Sequence, residues 1–465
     1  MTKHERKRER AARAAIGGIT AKDLKESMKK IVEYAKPYTE IFSRSELGGH
    51  FVEMITGFTS NLERKSAEPI AVMHGLARRP IQHFVGGSKW PWEPLMKRER
   101  QEVAQEIGIE DGSLILDGSA TPKKGIETVG VKRQWCGRLG KQDNCVIGVY
   151  ATYVGKCDAA ALVASELYLP EEWVKDAARR EAVFVPAEVV YRTQPAIARD
   201  IVTTLAGELP FAWVMGDDEY GRSKAFRDNV RGLGKNYIMD VPKNTVVRRV
   251  RKGTVGRLPK KRLSVQKVVR HMPASDWSTF HVRDGEKGPI MVRAAMVPVR
   301  TERDAGTTGA TGHRWVEETF VVIETLDGKD RWYCLAHAAP GTTLLEFVRR
   351  AGIRHRIEET FEEAKGEVGL DHFEVRSWHG WHHHMTMGMI AHWFLLREKR
   401  RLGKKSAGSD HQHDPHGHRT ALLPADTGAL REHRELPPDA ERGSATSAFP
   451  CAWSGCTTTT TLAMN

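Results

Sequence analysis

Two short apolar runs, 100 residues apart, each end in acid. Ser113-Leu-Ile-Leu116 runs into Asp117, and Phe211-Ala-Trp-Val-Met215 runs into Gly216-Asp217-Asp218. A short apolar run that stops at a charge is the pattern of a buried strand. Such a strand places its terminal carboxylate at the carboxyl edge of a sheet, where open α/β folds hold their ligands. The pair therefore points to an α/β fold with acidic chemistry at a sheet edge.

The chain has 465 residues, of which 40% are apolar, enough to bury a sizeable core. The longest apolar runs, such as 146–154, stop short of the roughly 18 residues needed to span a bilayer, so no membrane association is expected. Six cysteines at irregular spacing form neither a disulfide framework nor a paired zinc pattern, and a reducing cytoplasm suits them.

Charge is more informative than composition. The formal net charge is +13, yet 243–270 alone carries eleven Lys or Arg and no Asp or Glu. The first 36 residues contribute a further +6, which leaves the rest of the chain at −4. Valines threaded through the basic stretch, from Val246 to Val269, suit ordered strands with one basic face. Concentrating positive charge on ordered structure favours a polyanionic partner, because counterion release supplies affinity. Arg248, Arg249, Lys260 and Lys261 are the expected contacts.

Before the first acidic run, helical patterns at 45–58, 66–75 and 80–85 have Arg64, Lys65, Arg78, Arg79 and His83 near their ends. They form either a helix-turn-helix-like DNA-binding module or a small helical packing domain. A β pattern occupies 144–154, and 218–352 is rich in Val, Thr, Trp and Gly, with strand patterns at 291–299, 314–326 and 331–336. Helical periodicity returns at 343–350, 354–368 and 381–397. The aromatic and His cluster from Trp378 to His384 reads as a packed helix start, without zinc-ligand spacing. Beyond Lys405 periodicity vanishes, and His411, His413, His416 and His418 suggest adventitious metal binding only.

Carboxylates that converge beside basic groups are what two-metal phosphoryl chemistry requires. A third acid would come from the helix that includes Glu358, Glu359, Glu362 and Glu363. At about 100° per residue, Arg354, Glu358, Glu362 and Lys365 share one face. Periodicity leaves Glu358 and Glu362 equal.

Leu116-Asp-Gly-Ser119, Pro122-Lys-Lys-Gly125, Val129-Gly-Val131, Arg133-Gln-Trp-Cys-Gly137, Gly216-Asp217-x-x-Tyr220-Gly221 and Arg354-x-Arg-Ile-Glu358, with Lys365 seven further on, form an ordered set. Glu363-Ala-Lys-Gly-Glu-Val-Gly-Leu-Asp371 and Glu374-Val-Arg-Ser377 extend it. Over about residues 40–400 this set resembles the bacterial insertion-sequence transposases of the DDE branch, which have a Tyr-Arg-Glu-Lys signature on the last catalytic helix. The resemblance implies an RNase H-like catalytic core interrupted by a β-rich insertion and preceded by a helical DNA-binding domain.

The implied divisions are a basic arm (1–40), a DNA-end-binding helical domain (41–110), core (111–242), β-rich insertion (243–350), core helices (351–405) and a disordered tail (406–465). Asp117, Asp217 and Glu358 are implied as catalytic metal ligands, with Asp217 preferred to Asp218 because the family's aspartate stands three residues before Tyr-Gly. Arg354 and Lys365 are implied to lie along DNA phosphates, and Trp332, with Trp315 as competitor, to stack on a flipped base. Two Mg²⁺ ions per site are implied, with Mn²⁺ as a substitute. The implied partners are transposon-end and target double-stranded DNA, bridged by a homodimer, in the bacterial cytoplasm at the nucleoid. The chain departs from the signature at Ala351, which occupies the Tyr position. The rival expectations are a catalytically silent DNA-binding relative and an RNase H-like endonuclease without strand transfer.

Overall fold

The computed structural model describes residues 21–250, 258–285, 288–303 and 314–407. The first twenty residues of the basic arm, 251–257 of the basic stretch and the tail from 408 lie outside the described residues. The described residues form two compact units, one within 21–213 with 359–407 and the other within 214–358. Among the described residues, no helix is long and apolar enough to cross a membrane.

The first unit opens with five helices: α1 (Ala21–Thr39), α2 (Ser45–Phe58), α3 (Ala67–Met73), α4 (Arg78–Gly86) and α5 (Glu93–Ile107). Strands β1 (Ser113–Pro122), β2 (Lys132–Cys136), β3 (Lys141–Val154) and β4 (Ala160–Leu167) follow. Long β3 is the scaffold, pairing antiparallel with each of the other three. Short helices α6 (Glu171–Lys175) and α7 (Ala177–Ala182) precede α8 (Gln194–Leu205), whose Thr193 hydroxyl caps the Ala196 amide.

The second unit begins with β5 (Trp213–Gly216) at the division between units, then α9 (Asp218–Gly221), α10 (Lys224–Gly232) and β6 (Asn236–Asp240). It continues with β7 (Val246–Arg249), β8 (Leu263–Ser264), α11 (Val265–Arg270), β9 (Ser278–Gly285), β10 (Gly288–Glu302), β11 (Trp315–Thr325) and β12 (Arg331–His337). Hydrogen-bonded order runs β5-β6-β12-β11-β10-β7-β8, with β9 beside β10. Val247, Val265, Val268, Val297, Val299, Phe320 and Leu335 share one apolar cluster. The inward valines of the basic stretch among the described residues are thus core. Helix α12 (Leu344–Ile353) and α13 (Arg356–Val368) follow, and the division between units falls within α13.

The last helix, α14 (Trp378–Ala407), returns to the first unit, and every residue from 381 to 394 is buried. A helix apolar all round is the centre of a core. His382, His383 and His384 are part of that packing. His383 stacks on Trp90 at 3.5 Å, and its two ring nitrogens stand 2.9 Å from the Val85 and Trp90 carbonyls. Burial pushes its pKa down to about 3.

Three expectations are corrected. Asp117 does not end its strand: β1 continues to Pro122, and Asp117 sits opposite Tyr150. The apolar pattern stops there, but the ladder to β3 does not. Residues 265–270 are helical rather than extended, because the Ser264 side chain caps the Lys267 amide and starts α11. Arg354 does not share a helix with Glu358 and Lys365. Helix α12 ends at Ile353, and the chain turns through Arg354 and His355 before α13. Gly352 weakens that last turn, and the His355 Nδ1 stands 2.6 Å from the Gly352 carbonyl.

Candidate active site

In the second unit, Asp217 leaves the end of β5 and becomes the N-cap of α9, accepting a 3.0 Å hydrogen bond from the Glu219 amide. The Gly-Asp-x-x-Tyr-Gly spacing has a steric basis. Tyr220 is buried against Gly216, and a Cβ on Gly221 would stand 1.8 Å from the Asp240 carbonyl oxygen. Only glycine lets α9 approach the end of β6 this closely.

That approach gathers charge. Burial pushes the Asp217 carboxyl up to about 6; Arg354 opposes the rise, while Asp218 and Asp240 add to it. Arg354 reaches Asp240 at 3.1 Å, and its side chain is only 10% exposed. Asp240 is raised in turn, chiefly by burial, with Arg354 and the Cys334 thiol, 3.3 Å away, acting against it. One guanidinium thus serves two half-buried carboxyls. Asp240 was not among the expected site residues, although Asn236-Tyr-Ile-Met-Asp240 repeats the pattern of an apolar run ending in acid.

In the first unit, Asp117 is half-buried and accepts a 2.7 Å bond from the Gly118 amide. Strand alternation puts Ser119 on the same face. Lys365 on α13 donates to the Ser119 hydroxyl at 2.9 Å. Burial pushes the Lys365 ammonium below the usual lysine range, while Asp371 and Asp117 pull it back. Ser119 is a second partner that pattern reading missed.

The glutamates of α13 are not equivalent. Glu358 is half-buried and its amide bonds the His355 carbonyl at 3.0 Å, whereas Glu362 is exposed. Glu363 accepts from Lys399 at 2.7 Å, and its pKa is pulled down to about 2 by His392 and Lys399. Among the described residues, no three His, Cys, Asp or Glu side chains are already gathered as a metal cluster.

Residues 37–289 match the family described as DDE superfamily endonuclease, and 193–394 match the Transposase DDE domain. The chain belongs to the DDE superfamily. It is 26% identical over 354 residues to a probable transposase for insertion sequence element IS701 from Microchaete diplosiphon, covering 75% of this chain and 82% of that protein. It is therefore an insertion-sequence transposase of the DDE kind. Among solved structures, a piggyBac transposase synaptic complex with hairpin DNA is 10% identical, covering 83% of this chain and 75% of that one, with a TM-score of 0.39. The NurA nuclease from Sulfolobus solfataricus is also 10% identical, covering 56% and 80% respectively, with a TM-score of 0.23. Both scores lie below 0.5, and neither bears on the assignment.

In this DDE transposase the four expected basic contacts fall into two kinds. Lys260 and Lys261 are exposed. Arg248 instead bonds Glu302 at 3.0 Å, and Arg249 donates to the His271 carbonyl at 3.4 Å. Trp332 is half-buried on β12, opposite Ile323. The Arg300 guanidinium lies 4.0 Å from the ring centre of Trp315, which gives that ring a packing role.

Proposed function

We propose that this transposase binds the terminal inverted repeats of its element, cleaves a strand at each end, and joins the freed 3′-hydroxyls to target DNA. Both reactions are in-line phosphoryl transfers, so one carboxylate site made of Asp117, Asp217 and Glu358 serves both. The observation that carries the reading is Asp217: a carboxylate fixed at a helix start, with Asp218 and Asp240 adding to its negative field and Arg354 as the opposing cation.

A divalent cation fits this donor set in kind, because Asp and Glu oxygens are hard ligands and the charge around Asp217 is under-compensated. When bound, Mg²⁺ ions, two per site with Mn²⁺ as a substitute, supply polarisation of the scissile phosphate and activation of the attacking oxygen. Asp117, Asp217 and Glu358 hold them. The N-cap bond fixes the Asp217 carboxylate before DNA arrives. Arg354 pairs with Asp240 and opposes the rise that burial gives its carboxyl, and Lys365 presents positive charge to a phosphate beside Asp117.

On this reading β1, β3 and β4 begin an RNase H-like core, 41–110 holds the transposon end, and 243–350 is an insertion that covers the cut end. Trp332 is the candidate base-stacking residue, and a homodimer bridges two double-stranded DNA ends. The experiment that tests this is incubation of the full chain with end-containing duplex in Mg²⁺ or EDTA, following both nicked and joined products. Joining is expected in Mg²⁺ alone. Nicking without joining would leave a nuclease, and neither product would leave a protein that only binds.

A further inference from the structure

A cavity of about 170 Å³ opens in the second unit between α10, β7 and β10. Its charge is lopsided. Arg222, Lys224 and Arg227 approach from the α9–α10 segment, Arg248 and Arg262 from the basic stretch, and Arg300 from β10. Glu302 is the acidic side chain among the described residues that line it.

These cations are balanced unequally. Arg227 and Arg300 are buried, and each has a carboxylate of its own: Glu318 at 2.8 Å and Glu317 at 2.6 Å. Arg222 likewise holds Asp218 at 2.6 Å. Glu302, by contrast, is shared. The Arg248 Nε donates to it at 3.0 Å and Arg262 stands 3.9 Å away. Hydrogen bonding from Arg248 holds its carboxyl below the usual range, with Arg262 and Lys224 pulling the same way. Two guanidiniums on one carboxylate leave, among the described residues, a surplus of positive charge around a planar anion. A phosphate carries more oxygen acceptors and suits guanidinium forks better.

We propose that this cavity is a phosphate-binding socket, in which Glu302 stands in for a phosphate of the DNA backbone and is displaced when a strand enters. Arg222 ends the turn that Asp217 caps, so an occupied socket would anchor a strand to the segment that carries that carboxylate. The inference rests on the chain acting on DNA, but not on its cutting it.

The test uses the full chain, with Glu302→Gln and Arg262→Gln variants, in EDTA so that metal-dependent chemistry plays no part. Binding to end-containing duplex is measured by anisotropy across a salt series, beside thermal melting with and without inorganic phosphate. Arg262 has a 60% exposed side chain, so its replacement keeps the test valid even if Glu302→Gln perturbs folding. Glu302→Gln is expected to tighten DNA binding severalfold. Arg262→Gln is expected to weaken it and to flatten the log–log salt slope by about 0.9, the value of one phosphate contact. A melting shift with inorganic phosphate that is lost in Arg262→Gln, with DNA affinity unchanged in both variants, would contradict a DNA phosphate as occupant and assign the socket to a free anion. Unchanged DNA affinity and unchanged phosphate response in both folded variants would overturn the proposal altogether. Cleavage in Mg²⁺, measured separately, distinguishes a failed socket from a failed catalytic assignment.

Discussion

The Arg354 guanidinium stands 3.1 Å from the Asp240 carboxylate, and the same cation opposes the rise in the Asp217 pKa. Breaking a buried pair strands the remaining charge, which costs far more than the net worth of the pair. Arg354→Ala is therefore expected to lower the unfolding free energy by about 3 kcal/mol. Asp240→Asn in the same background should restore part of that loss. Chemical denaturation of the two single variants and the double variant measures the coupling, and additive losses would show that the pair is independent.

Gly221 makes a steric prediction. Any Cβ there meets the Asp240 carbonyl, a backbone atom that cannot rotate away. Gly221→Ala should cost about 1–3 kcal/mol through overpacking and should reduce cleavage more than it reduces DNA binding, because it displaces the turn that Asp217 caps. Equal losses in binding and cleavage would argue against that local effect.

These two relationships show what was legible in the sequence and what was not. Helix α2 and strands β10, β11 and β12 follow directly from period-3.6 and period-2 patterns. The position of Asp217 after β5 was legible for the same reason. Asp117 within β1 was not, because Gly118 to Thr121 lack an apolar run and are strand only through pairing with β3. The turn at Arg354 was hidden by a helical pattern that continues across it, with Gly352 the one warning. Asp240 and Ser119 escaped because their roles depend on contacts from Arg354 and Lys365, which lie over a hundred residues away in the chain.

Glu99 offers a pH test of the helical part of the first unit. It is fully buried on α5, and neither carboxyl oxygen has a hydrogen-bond partner among the described residues. Burial raises its pKa well above the usual value, with Arg100 opposing and Glu102 adding. The folded state therefore holds a proton that the unfolded chain releases. Stability from this group is present below the unfolded pKa of about 4.3 and is lost as pH rises from there towards the folded value. Glu99→Leu should stabilise the fold by about 1–3 kcal/mol at pH 8 and by less at pH 5. Thermal melts at both pH values check it; an equal gain at both would mean that Glu99 does not titrate.

Exposed Lys260 and Lys261 are placed to meet a polyanion without first leaving a carboxylate. Replacing both with Ala should reduce the salt slope of DNA binding by up to about 1.8, since each phosphate contact contributes about 0.9. Thermal stability should not change. An unchanged slope would remove this segment from the DNA path.

Asp217, and not its neighbour Asp218, is the aspartate proposed for the catalytic carboxylate set. Asp217 caps α9 beside Arg354, whereas Asp218 is held in a local 2.6 Å pair with Arg222. The most direct measurement is Mg²⁺-dependent cleavage of end-containing DNA by Asp217→Asn and Asp218→Asn, with DNA binding and folding verified for each. The expected result is loss of cleavage in Asp217→Asn and retained cleavage in Asp218→Asn. Full cleavage by Asp217→Asn together with none by Asp218→Asn would contradict the assignment.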